Sequence, residues 1–82
     1  MNYEDVFSLL KDYGKHKGNA WLVKGYCNDC KVVQLEYDHT RRYFMTPIYN
    51  RYDKVPPMQR VSRDVFENNV KYLLDKGYTL SF

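Results

Sequence analysis

Between residues 20 and 37 the apolar side chains stop recurring every third or fourth position and begin to alternate. Trp21, Val23 and Gly25 fall on one side of an extended chain, and Leu22, Lys24 and Tyr26 on the other. After a short break Val33, Leu35 and Tyr37 oppose Val32, Gln34 and Glu36 in the same way. Two alternating runs on either side of Asn28-Asp29, both turn-forming residues, predict a β-hairpin. A two-residue loop would pair Cys27 with Cys30 and put Trp21 and Val23 beside Glu36 and Gln34. One more loop residue pairs Cys27 with Lys31 and puts Trp21 and Val23 beside Tyr37 and Leu35. The second register gives the cleaner apolar face and is the one expected, because a one-residue slip exchanges every side chain between faces.

Helical periods flank this hairpin. Asn2 and Asp5 have the spacing of a capping box, and Tyr3, Val6, Phe7, Leu10 and Tyr13 follow at helical intervals. A first helix is expected over residues 3–15, with stops at Gly14 and Gly18. Residues 42–50 read as a third strand, with Tyr43, Met45 and Tyr49 on one face and Phe44, Thr46 and Ile48 on the other. Pro47 lacks an N–H, so this strand should lie at an edge or be interrupted there. A polar loop over residues 50–60 contains the stiff pair Pro56-Pro57. Ser62 then caps a second helix running to about residue 76, with Phe66, Val70, Leu73 and Leu74 as its apolar stripe and Gly77 as its stop. Tyr78, Leu80 and Phe82 alternate as a closing strand. The expected fold is a small single α+β domain over residues 1–82, order α-β-β-β-α-β, a mostly antiparallel sheet with two helices packed on one face.

Size and charge narrow the function classes. A chain of 82 residues has room for one core. A net charge of +3 permits a nucleic-acid partner without requiring one, and excludes the strongly acidic surface of a DNA mimic. No run approaches the roughly 18 apolar residues of a membrane span. Residues 1–5 are acidic, unlike the basic start of a secretion signal, so the expected location is cytoplasmic. Lys, Asn and Tyr are plentiful and Ala20 is the only alanine. That bias fits an AT-rich coding sequence, as in many low-GC bacteria and their phages, although the single isoleucine, Ile48, runs against it.

All five arginines, Arg41, Arg42, Arg51, Arg60 and Arg63, fall within 23 residues of one another, and the span 39–63 holds a single acid, Asp53. Tyr43, Phe44, Tyr49 and Tyr52 are interleaved with them. Guanidinium groups bind phosphate bidentately, and tyrosine rings stack on bases, so the mixture suits a phosphate-bearing, stacking ligand. It equally suits a protein interface anchored by arginine and tyrosine. The candidate contact residues are Arg41, Arg42, Tyr43, Tyr49, Arg51, Tyr52, Lys54 and Arg60, with Trp21 extending the surface. Period two turns Tyr43 and Tyr49 toward the core with Met45, which leaves Arg41-Arg42 and the loop 51–60 as the sharper candidates.

The other chemistry is sparse. Cys27 and Cys30 form one CxxC, half the ligand set of a structural zinc site, and neither His16 nor His39 lies in a matching second half. The expected state is two reduced thiols or an incidental disulfide, without metal; four cysteines contributed by a homodimer would be the one route to a complete site. A redox role would need the pair at a helix start, not between strands. Glu36, Asp38 and His39 cluster after the second strand in the manner of a turn, and no phosphate loop, GxSxG or HExxH is present. The expectation is a non-enzymatic accessory protein without a cofactor. Its first expected partner is single-stranded nucleic acid in a replication or repair context. The alternative is a protein adaptor or inhibitor of phage or mobile-element type that binds a larger enzyme.

Overall fold

The computed structural model describes residues 1–12, 18–38 and 40–82. Among them the order is α1 (Tyr3–Leu10), β1 (Asn19–Lys24), β2 (Lys31–Tyr37), β3 (Tyr43–Met45), β4 (Tyr49–Asn50), β5 (Gln59–Val61), α2 (Arg63–Asp75) and β6 (Thr79–Ser81). The strands form one antiparallel sheet in the order β5-β3-β2-β1-β6, with β4 pairing on β2 below β3. Both helices pack on one face, as the α+β reading expects.

α1 starts where the capping box places it. The Asn2 side chain accepts from the Asp5 N–H at 3.0 Å, and Asp5 accepts in return from Asn2. Tyr3, Val6 and Leu10 are buried, and the helix closes at Lys11 instead of running on to residue 15. Lys11-Asp12 contributes nothing to bury beyond Leu10. The expected stop at Gly14 lies outside the described residues. α2 matches expectation more fully. Ser62 caps it through its hydroxyl, which accepts from the Val65 N–H at 3.2 Å. At its end Gly77, with φ +94, lets Tyr78 N–H reach the Leu73 carbonyl and Gly77 N–H reach the Leu74 carbonyl, the Schellman arrangement.

The β1–β2 register differs from the expected one. Lys24 pairs with Lys31 and Trp21 with Gln34, so the connection spans residues 25–30 and not three residues. Cys27–Asp29 form a single 3-10 turn, and Gly25 adopts φ +101 with a missing Cβ that would collide with the Asp29 carbonyl. Three extra loop residues are an odd number, which exchanges the faces of β1. Ala20 and Leu22 therefore enter the core beside Leu35 and Val33, and Trp21 and Val23 turn to the opposite side. The Lys24–Lys31 juxtaposition is relieved on both sides. The Lys24 ammonium donates to the Lys76 carbonyl at the C-terminal end of α2, and Lys31 sits 3.9 Å from Asp29.

The third expected strand is two strands. Leu35 pairs with Met45, but Val32 pairs with Tyr49, so two residues of β2 face three residues, 46–48. This is a β-bulge at Pro47, the interruption its missing donor predicts. Thr46 holds it: its N–H donates to the Gln34 carbonyl and its Oγ1 accepts from the Gln34 N–H, both at 3.0 Å. The extra residue turns Tyr49 away from the face of Tyr43 and Met45. β5 is an addition, since Gln59-Arg60-Val61 is too short to alternate legibly in the expected loop. The core is thin and aromatic: Tyr43 lies 5.1 Å from Phe66, 5.0 Å from Tyr37 and 5.9 Å from Phe7 between ring centres. Phe66, Leu10, Leu22 and Leu35 are fully enclosed, each contributing about 1.5–3 kcal/mol by burial.

Candidate nucleic-acid interface on the open sheet face

Because both helices cover one side of the sheet, the other side is built from the remaining alternate residues. Register places them in three ranks across the strands. The first is Asn19, Glu36, Phe44 and Arg60. The second is Ser81, Trp21 and Gln34, and the third is Thr79, Val23, Val32 and Tyr49. Each rank carries one aromatic ring, and each ring is partly exposed. Adjacent ranks are two residues apart along β2, about 7 Å at roughly 3.4 Å per residue. Phe44 and Tyr49 flank β2 on one side and Trp21 on the other, so successive rings zigzag across the central strand at about 12 Å, the rank step combined with two strand spacings of about 4.8 Å. Near the third rank the loop 51–58 rises over the sheet. Val55 there joins Trp21, Val32, Tyr49, Arg51 and Phe82 in lining a groove of about 610 Å3.

At the first-rank end four arginines come together. Arg41, Arg42, Arg60 and Arg63 line one recess with Tyr43 and Ser62, beside the start of α2. The turn 38–42 organises it. Asp38 accepts from the N–H groups of Thr40 and Arg42 at 3.0 and 2.9 Å, from the Thr40 hydroxyl at 2.7 Å and from the Arg42 Nε at 3.1 Å. The Thr40 hydroxyl is the foremost cause holding the Asp38 carboxyl down to about 2; burial, next in size, opposes it, and the backbone donors and the Arg42 guanidinium add to the lowering. Arg42 is thereby committed to Asp38. Arg41 occupies the left-handed region at φ 64, a conformation that glycine adopts without strain and arginine does not.

Arg51 belongs to the opposite end of the sheet. Its N–H donates to the Cys30 carbonyl at 2.8 Å, just before β2 begins, whereas the arginine recess adjoins the turn just after β2 ends. The two ends are about 20 Å apart along a seven-residue strand. Arg41-Arg42 and the start of the 51–60 loop thus do not meet; only its last residue, Arg60, joins the recess. Tyr52 is 67% exposed and Lys54 is exposed, both in that loop. Tyr43 is drawn into the core, where burial foremost raises its hydroxyl pKa. Tyr49 is freed by the bulge. Phe44 and Gln34 belong to this surface and Arg63 to the recess at its edge, although none of the three was among the candidate contact residues. Alternation put Phe44 on the face opposite Tyr43, but nothing local signals which side is open.

The cysteine pair lies at the turn preceding β2. Cys30 is buried with a free thiol, while the Cys27 side chain and both histidines lie outside what is described. Among the described residues no three of His, Cys, Asp or Glu stand close enough to share a metal ion. No helix among them is long and apolar enough to cross a membrane. The chain matches no family model, no curated protein and no solved structure.

Proposed function

We propose that this chain is a non-enzymatic accessory module that binds single-stranded nucleic acid across its open sheet face. What carries the reading is the set of three ranks, each with one partly exposed ring, lying between two arginine poles. Phe44, Trp21 and Tyr49 each offer a platform on which a base stacks; Arg60, Arg41 and Arg63 neutralise phosphates at one end and Arg51 at the other. Stacking contributes about 1–3 kcal/mol per base and tolerates any base, since every base has a π-face. A span of about 20 Å accommodates on the order of four nucleotides, the low end for small single-strand-binding domains. Duplex is excluded by the same chemistry, because its bases are already stacked. A cytoplasmic replication or repair setting, in a phage or mobile element, is the context this reading fits.

The test is fluorescence anisotropy of a labelled oligonucleotide at two salt concentrations. With three to four cations engaged, log affinity should fall with log salt at a slope of about −2 to −3. Arg60→Ala should flatten the slope by about 0.7. Absence of binding at low salt overturns the proposal.

A protein partner is the second reading, favoured by a different surface. Beside α2 a groove of about 450 Å3 is lined by Met45, Pro47, Ile48, Val61, Val65 and Tyr72, and no charged side chain lines it. Ile48, Val65 and Tyr72 are 52%, 45% and 60% exposed. An adaptor would seat an apolar segment there. Tyr72→Arg should then abolish co-purification of a defined partner from the native host while leaving oligonucleotide binding intact; retention of the partner rules the groove out.

A further inference from the structure

We infer that the first rank selects a base carrying an exocyclic amino group, with Glu36 as the acceptor that reads it. This rests on the single-strand reading above and adds base preference to it. Glu36 stands on the central strand β2, between Asn19 and Phe44 in register, and is half-buried. Among the described residues its carboxylate makes no hydrogen bond or ion pair, although Arg60 lies next to Phe44 in the same rank. Its oxygens still reach solvent, so a donor from a ligand can take the place of water on them.

An ionised carboxylate only accepts. It repels a phosphate backbone, so the part of a strand that can lie against it is the donor-bearing edge of a base. Directly opposed Cβ atoms on neighbouring strands are about 5 Å apart, so a base lying on Phe44 presents its edge within reach of Glu36. Cytosine N4, adenine N6 and guanine N2 donate from that edge, and a carboxylate taking the cytosine amino group is an established pairing. Thymine and uracil offer one ring N–H flanked by two carbonyl oxygens, which a carboxylate repels. Arg60, on the far side of Phe44, takes the phosphate of the same nucleotide. Selection thus arises in one rank, while Trp21 and Tyr49 stack without preference.

The experiment compares oligodeoxycytidylate with oligodeoxythymidylate of about eight nucleotides, by anisotropy near neutral pH, for the full chain and for Glu36→Gln. The full chain should bind the cytosine strand about tenfold more tightly, with the same salt slope for both strands. Glu36→Gln presents both an acceptor and a donor, so the ratio should fall close to one and thymidylate affinity should rise. Equal affinities for the two strands in the full chain overturn the inference and leave the single-strand reading standing. A tenfold ratio that survives in Glu36→Gln also overturns it, since the discrimination would then arise elsewhere. Failure of both strands to bind at low salt removes the single-strand reading itself.

Discussion

Two side chains show how far a single residue can set the balance of this small domain. The Tyr3 hydroxyl is buried without a hydrogen-bond partner, while its ring stacks on Phe7 at 5.7 Å and meets Phe66 edge-on at 6.4 Å. Tyr3→Phe keeps the ring contacts and removes the unsatisfied group, so it should raise stability by about 1 kcal/mol, measured by urea denaturation. Burial, reinforced by Glu67, pushes the Tyr3 pKa up to about 12. The folded state therefore favours the protonated phenol, a contribution fully present below pH 10 and lost as the pH rises from 10 toward 12; Tyr3→Phe should flatten that alkaline limb. Asp38 behaves in the opposite sense. Its folded carboxyl is held at about 2 against an ordinary 3.8, so its contribution is present above pH 4 and disappears as the pH falls toward 2. Thermal melts of the parent should lose midpoint over that interval more steeply than those of Asp38→Asn, which keeps an acceptor but does not titrate. Tyr3 and Asp38 are visible in the sequence; the burial of one and the donors around the other are not.

At the scale of elements, local signals were enough wherever an element carries its own period or cap. The capping box at Asn2 and the Ser62–Gly77 limits of α2 follow from side chains within a few residues. Strand registers do not, because they depend on how many residues a connection consumes. Gly25 and the 3-10 turn lengthen the β1–β2 connection by an odd number, and Trp21 changes sides. The bulge at residues 46–48 does the same to Tyr49. Thr46 is the buried pin of that bulge. Thr46→Val preserves its shape and strands the Gln34 N–H, at a cost of about 1–3 kcal/mol. Amide exchange at Gln34 should accelerate, and the salt-dependent oligonucleotide affinity should fall as Tyr49 loses its fixed orientation. Unchanged exchange at Gln34 would show that the hydroxyl bond does not hold the bulge.

Across the whole molecule the distribution of charge and rings matters more than their number. A net charge of +3 is unremarkable, yet four arginines line one recess and the fifth stands at the far end of β2. Between them lies the single tryptophan, which makes a direct reporter of that surface. Oligonucleotide stacking on the open face should quench Trp21 emission in step with anisotropy, and Trp21→Ala should weaken binding by about tenfold, the lower part of the range for a lost stacking ring. Binding without a change in Trp21 emission would move the contact surface off the sheet.

The sequence by itself determined the elements: two capped helices, a central hairpin and a proline-broken strand, each governed by residues a few positions apart. It also determined that every arginine falls in one segment, with aromatic residues interleaved among them. Only the tertiary structure decided which rings remain outside the core, which arginines meet and which one stands apart. Those outcomes rest on turn lengths, one bulge and the pairing of strands distant in sequence, and a period-two pattern is the same whichever face the helices cover.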